Sequence, residues 1–152
     1  IGGDETSGEL YGRLAEIGAQ LLSETVMLIA EGKAPRIPQD DAAATHAPML
    51  QKDQALIDWT KPAGQLHNLI RGMHPWPVAH TLLEGKPLKV HKAAVAEGSG
   101  PAGCVLDEKR MVVACGQGAL ELVEIQAEGS RRMTAADYLR GHPVKKGVIL
   151  GS

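Results

Sequence analysis

"GMHPWPVAHT" occupies residues 72–81. Pro75 and Pro77 bracket Trp76, one of only two tryptophans in a chain without phenylalanine. Proline restricts the residue before it to extended backbone, so Pro75 pushes His74 out of helical geometry and Pro77 does the same to Trp76. The stretch therefore reads as a corner between a helix and a first strand. An indole fixed at that corner is expected to be structural and to plug the end of a small barrel. The alternative is a ring offered to a stacked base.

Outward from the corner, the two sides have different periods. Upstream, "TKPAGQLHNLIRGM" (60–73) carries Leu66, Leu69, Ile70 and Met73 on one helical stripe. Thr60 is its expected cap, and Pro62 is tolerated in its first turn. Downstream, "VAHTLLEGKPLKVHKAAV" (78–95) alternates with period two and is expected to turn at Glu84-Gly85. "GCVLDEKRMVVACGQGALELVEIQ" (103–126) adds three short strands, turning near Asp107–Arg110 and at Gly116-Gln117-Gly118. "MTAADYLRGH" (133–142) is a short helix with Thr134 as cap, and "GVILG" (147–151) is a final strand. Five or so short strands joined by small turns predict a little barrel rather than a parallel sheet.

Ahead of this unit stands "DETSGELYGRLAEIGAQLLSETVMLIAEG" (4–32). Thr6 and Glu9 form a capping box, and Leu10, Leu14, Ile17, Leu21 and Leu28 recur at helical spacing. Gly32 sits where a C′ glycine ends a helix. Such a helix, about 25 residues or roughly 38 Å long, must lean on something. "KAPRIPQDDAAATHAP" (33–48) follows, with prolines that forbid helix or central strand, and reads as an extended linker.

Composition narrows the function. The chain has 152 residues and a net charge of −2, which argues against a free-standing nucleic-acid binder. Charge is uneven, however: residues 1–75 carry 6 basic and 10 acidic side chains, residues 76–152 carry 10 and 8. A basic face on the second half is the better lead. Lys86, Lys89 and Lys92 share a hairpin with His91, Arg131 and Arg132 precede the last helix, and Lys145 and Lys146 follow it. These seven side chains suit phosphate contacts, and they suit equally the guarding of edge strands. Lys89 and His91 share a face if their strand is regular, and His80 and His91 are expected to face each other across the hairpin. The two cysteines, Cys104 and Cys115, lie in apolar runs and read as reduced core residues. No nucleophile–base–orienter set, phosphate loop or metal-ligand spacing stands out, so no catalytic residue and no metal site are assigned. No run of about 18 apolar residues occurs, and the first residues do not form a signal peptide. The chain is expected to be cytoplasmic, without a membrane partner. Lacking an initiator Met, it reads as a piece of a longer protein.

The segments "TSGELYGRLAEIGAQLL" (6–22), "ALIDWTKPAGQLHNLIRGMHPWPVAHTLLEGKPLKVHKA" (55–93), "VVACGQGALELVEIQAEGSRRMTAADYLRG" (112–141) and "GVILG" (147–151) together resemble the C-terminal half of the methionyl-tRNA formyltransferases. The most specific piece is "IDW…IRGMHPWPVA", joined to "MTAADYLRG". The resemblance implies a mainly β fold with helices: a small OB-like β-barrel preceded by a helix, plus a long N-terminal helix left over from a Rossmann-like domain. Residues 1–32 would be the last helix of the missing N-terminal catalytic domain, 33–48 the interdomain linker, and 49–152 the OB-like barrel domain.

The family transfers a formyl group from 10-formyltetrahydrofolate to the Met amino group of initiator methionyl-tRNA. Its Asn-His-Asp catalytic set and its S-L-L-P and D-T-G motifs have no matching positions here. The resemblance thus implies a non-catalytic piece that binds no cofactor itself. Its partners would be initiator methionyl-tRNA and the absent catalytic domain; separately, the unpartnered apolar stripe of helix 7–31 is expected to pack on a second copy unless it folds back on its own barrel. A stand-alone OB-like RNA-binding module and a piece of a sugar-nucleotide formyltransferase remain alternatives.

Overall fold

The computed structural model of the protein describes residues 1–151; Ser152, the last position of the expected barrel domain, lies outside them. Three helices, α1 (Ser7–Ala30), α2 (Ala63–Gly72) and α3 (Ala135–Gly141), accompany six strands. The strands are β1 (Ala79–Leu83), β2 (Lys86–Ala96), β3 (Val105–Asp107), β4 (Val112–Ala114), β5 (Ala119–Ala127) and β6 (Met133–Thr134). They form one antiparallel sheet in the order β1-β2-β5-β4-β3, with β6 paired to β5.

The expected turns are where the sequence puts them. Glu84 and Gly85 both take positive φ, 51° and 73°, so the β1–β2 hairpin closes through two left-handed residues, the geometry that matches strand twist. In β2 the buried positions are Leu88, Val90 and Ala93. The spacing slips from two to three because the register shifts around Val90, Lys92 and Ala93. That bulge breaks the regular face expected for Lys89 and His91.

Closure of the barrel is not observed: β1 and β3 are the two ends of an open ladder. The expected last strand is also absent as an element. Residues 147–151 make only an isolated bridge between Ile149 and Cys104. The segment nevertheless touches both ends of the ladder. Val105 and Leu150 donate across this junction, to Val148 O and Gly103 O, at 2.8 Å each, and Gly151 N donates to Leu82 O of β1 at 2.8 Å. Gly147 and Gly151 take φ of 94° and 91°, which a continuous strand does not allow.

The indole that fills the space between the two ladder ends is Trp59, not Trp76. Trp59 is 5% exposed, and its Nε1 donates to Thr81 Oγ1 at 3.0 Å. A Cβ added at Gly103 or Gly151 would lie 3.4 Å from Trp59 Cδ1, so the ring is in contact with both segments. Trp76, expected as the plug, is 56% exposed. The loop carrying it closes on itself, with Val78 N donating to Met73 O at 2.9 Å, and this leaves the indole outside the sheet.

Helix α2 lays Leu66 and Ile70 on the sheet, each 2% exposed, a burial that stabilises by about 1.5–3 kcal/mol per side chain. Its start differs from expectation. The N-cap is Pro62 and no side chain caps it; Ala63 N instead donates to Gln117 O at 2.9 Å. Thr60 is occupied with Asp58, whose carboxylate accepts from the Thr60 hydroxyl and amide. Helix α3 is capped by Thr134, which accepts from Asp137 N. Cys115 is core, and burial pushes its thiol up to about 11, whereas Cys104 is only half-buried.

Helix α1 has the expected capping box, Thr6 with Glu9. It ends in a Schellman pair, Lys33 N to Leu28 O and Gly32 N to Ile29 O. None of its residues is buried. Leu14, Ile17, Leu21 and Leu28 are 40–61% exposed. The helix does not swing free of the sheet, however. Its first turn is fixed to the corner: Gly8 N donates to His74 O at 3.1 Å, Ser7 Oγ donates to the same carbonyl, and Arg71 donates to Gly2 O and Glu5 O. The approach is close enough that a Cβ on Gly8 would lie 3.0 Å from Pro75 Cδ. After α1 the chain is irregular and largely exposed through residue 54, apart from a short 3-10 turn at Asp41–Ala43; beyond it, starting in the 3-10 turn Asp53–Ala55, Ala55, Ile57 and Trp59 enter the core.

These placements make opposite forecasts for the two tryptophans. Trp59→Ala removes a buried ring and strands the Thr81 hydroxyl, and is expected to cost about 3–5 kcal/mol. Trp76→Ala is expected to cost less than about 1 kcal/mol, since the ring is already in water. Equilibrium urea denaturation of the two variants checks the ranking.

Candidate nucleic-acid interface

The outer surface of the corner is a groove of about 530 Å³. Pro75, Trp76, Pro77, Val78 and Pro87 give it an apolar floor, and Lys52, Asp53, His80 and Lys89 give it a polar rim. The sheet builds it: His80 of β1 stands opposite Lys89 of β2 in the register, so both belong to one hairpin. Lys52 arrives from far upstream because Leu56 bridges His80, and Ile57 N donates to His80 O at 2.8 Å. Val78 takes a φ of 69°, rare for a β-branched residue, and holds the turn that presents Trp76.

A second hollow, of about 370 Å³, lies on the other side of the corner, under the first turn of α1. Arg71, His67, His74, His91, Lys92, Glu124 and Arg132 surround it. The rings of His74 and His91 meet edge to face with centroids 5.9 Å apart. This replaces the expected His80–His91 pair, because the β1–β2 register sets Lys89 opposite His80 and ends at Val90, leaving His91 to the irregular stretch of the β2–β5 pairing. His91 Nε2 lies 3.2 Å from Gln126 Oε1, and the Nδ1 atoms of His74 and His91 are buried without a protein partner. Arg132 is engaged twice, with Glu124 and, at 3.2 Å, with His74 Nε2. Thr6 donates to Glu9, which holds that carboxylate below the usual range.

The seven basic candidates are therefore not one patch. Lys89 lines the Trp76 groove, and Lys92 and Arg132 line the histidine hollow. Lys86 lies near Tyr138 and His142, which stack at 4.7 Å. Lys145 is beside Lys109 and Arg140, Lys146 is near Arg110, and Arg131 is exposed next to Arg132. Lys52 and Arg71 were missed by sequence reasoning. Neither has a local signal, since the partners that give them meaning are brought up by long-range pairing. Among the described residues, no group of three or more His, Cys, Asp or Glu is gathered as a metal centre requires. No helix among them is long and apolar enough to cross a membrane.

Residues 49–143 match the family model described as the formyl transferase C-terminal domain. The chain belongs to that family. It is 45% identical over 150 residues to a methionyl-tRNA formyltransferase of Caldanaerobacter subterraneus subsp. tengcongensis, covering 97% of this chain and 48% of that protein. The chain thus spans about half the length of the curated relatives it matches. Two solved structures of HypX from Aquifex aeolicus share the fold at 17% identity. A substituted variant superposes with a TM-score of 0.69 over 90% of this chain and 26% of that one. The complex with tetrahydrofolic acid superposes with a TM-score of 0.62 over 79% and 22%.

The histidine hollow predicts a pH dependence of the formyl transferase domain. Burial, offset in part by Gln126, pushes His91 below its ordinary value of 6.5, and the positive charges of Arg132 and Lys89 push the same way. The unfolded chain therefore takes up this proton first. Stability from His91 is full above about pH 6.5 and is lost as pH falls through its lower folded value. Melting temperatures between pH 7 and 5 should fall in the native protein and flatten in His91→Gln. The carboxylates held down by hydrogen bonds, Glu5, Asp58 and Asp107, act only below their ordinary values of 4.5 and 3.8 and leave this window clear.

Proposed function

We propose that this chain is the tRNA-positioning C-terminal part of a methionyl-tRNA formyltransferase. In this reading the parent moves a formyl group from 10-formyltetrahydrofolate to the Met amino group of initiator methionyl-tRNA, in the cytoplasm. The observation that carries it is 45% identity across 97% of the chain to a protein of that name, at about half its length. Residues 49–152 would be an OB-like domain, 33–48 a linker, and 1–32 the last helix of the Rossmann-like catalytic domain.

The physical logic is a division of labour. Among the described residues the side chains offer lysines and an exposed indole, groups that hold a polyanion, and gather no acyl-transfer constellation. Folate and the catalytic groups would sit in the half of the parent that this chain does not span. The apolar stripe of α1 supports this arrangement. Leu14, Ile17 and Leu21 each forgo about 1.5–3 kcal/mol while exposed, and the catalytic half would cover them. Holding the tRNA on this part orients its aminoacyl end for attack in the other, which is catalysis by positioning.

The test is a chimera. The chain is fused behind the N-terminal half of the Caldanaerobacter relative and assayed for formylation of methionyl-tRNA with 10-formyltetrahydrofolate. The fusion should turn over well above the N-terminal half alone, and the present chain alone should not exceed the protein-free control. Turnover by the chain alone, or no gain on fusion, rejects the reading. Lys89→Ala, Lys92→Ala and Arg131→Ala should each raise KM more than they lower kcat. Removing one phosphate-binding cation should reduce the salt slope by about 0.7–0.9.

A further inference from the structure

We infer that the groove at Trp76 is a stacking site for one unpaired nucleotide of an RNA chain, with Lys52 and Lys89 holding the adjoining phosphates. The inference deepens the tRNA-binding reading and rests on it.

Four observations converge on the groove. Its indole is 56% exposed although large aromatics are scarce in this chain, and the other tryptophan is consumed by the core. Pro75 and Pro77 flank the ring, so little backbone freedom remains to be lost when a base is placed on it. Among the described residues the Trp76 N–H, Lys52, Lys89 and His80 side chains make no protein hydrogen bond or ion pair. Arg13, Arg71, Arg110, Arg132 and Arg140 are all engaged elsewhere. The groove's one acid, Asp53, accepts from Gln54 N at 3.0 Å and forms no ion pair with either lysine.

A flat π-face with unpaired cations lining the same groove matches the chemistry of single-stranded nucleic acid. Stacking tolerates any base because every base has a π-face, and lysines track the phosphates on either side. A base pair inside a duplex cannot present that face, so the groove selects unpaired nucleotides. A proline-rich peptide would also meet an aromatic groove, but it gives the lysines nothing to neutralise.

The experiment titrates the intact chain with a labelled short single-stranded RNA and, separately, with a blunt RNA duplex. Fluorescence anisotropy gives affinity, and quenching of indole emission reports on Trp76, with Trp76→Phe supplying the Trp59 background. The single strand should bind more tightly than the duplex and quench the emission. Trp76→Ala should weaken single-strand binding about 5- to 150-fold with an unchanged melting temperature, and Trp76→Phe should recover part of it. Lys52→Ala and Lys89→Ala should each reduce the salt slope by about 0.7. Equal binding by Trp76→Ala, or equal quenching by the duplex, overturns the site.

Trp76→Ala introduced into the formylating chimera separates the two readings. An active chimera whose KM for methionyl-tRNA ignores Trp76 overturns the groove and leaves the function standing. A chimera that never formylates rejects the function, and the oligonucleotide titration then decides the groove.

Discussion

The hydrogen bond from Trp59 Nε1 to Thr81 Oγ1 is the contact on which the rest of this fold depends. Thr81 is fully buried and is the one polar side chain in the core among the described residues, so its hydroxyl must find its partner inside the protein. The indole supplies that partner and fills the space that the open ladder leaves. Around it converge β1, the residues before β3, and the C-terminal segment, whose backbone groups are paired to both. The ladder ends are thus joined through a ring and a few hydrogen bonds, without a pairing of β1 with β3. Gly103 and Gly151 make this possible, since both hold left-handed φ and a Cβ at Gly103 would stand 2.5 Å from Leu150 O. The same demand for close approach recurs at Gly116, where a Cβ would stand 1.8 Å from Thr60 O. The segment leading into α2 is locked onto the β4–β5 turn there by Gly116 N to Lys61 O and Ala63 N to Gln117 O.

With the core indole assigned to Trp59, the corner at 74–78 is released for other work. Its backbone is already committed: the His74 carbonyl receives the first turn of α1, and the Met73 carbonyl receives Val78. Its inner side carries His74 into the histidine hollow, and its outer side carries Trp76 into the groove. One short loop therefore joins the angle of the long helix to the shape of two surfaces. Helix α1 has no buried residue, so the anchorage of its N-terminal end to His74 and Arg71 is what fixes its direction relative to the sheet.

Charge bears on the nucleic-acid reading through availability rather than through its sum. The net charge of −2 is close to neutral. Arg13, Arg110, Arg132 and Arg140 are neutralised by Glu5, Glu121, Glu124 and Asp137. Exposed pairs of this kind contribute little to stability, but they remove those guanidiniums from the set that can meet a phosphate. Lysines in no ion pair among the described residues, Lys52 and Lys89 among them, are left to shape the field felt by an approaching polyanion.

Local rules written in the sequence determined the caps of α1 and α3, the turns and most of the strand spans. Thr6 with Glu9, Thr134 with Asp137, Glu84-Gly85 and the glycines around 116–118 act over a few residues, and the chain obeys them. The matching segments also reveal the family, since residue identity is carried by the chain itself. What only the tertiary structure decided is which of two tryptophans is inside, where the ladder stops, and which cations share a surface. Trp76 looked buried because its prolines fix its backbone, yet a fixed backbone says nothing about which side of the sheet the ring will meet. Thr60 looked like a cap until Asp58 took its hydroxyl and Gln117, more than fifty residues away, took over the helix start. Lys52 and Lys89 became neighbours through the bridge from Leu56 to His80 and the β1–β2 register. Such pairings join distant positions, and their free energy exists only once the whole sheet has formed, so no local pattern can announce them.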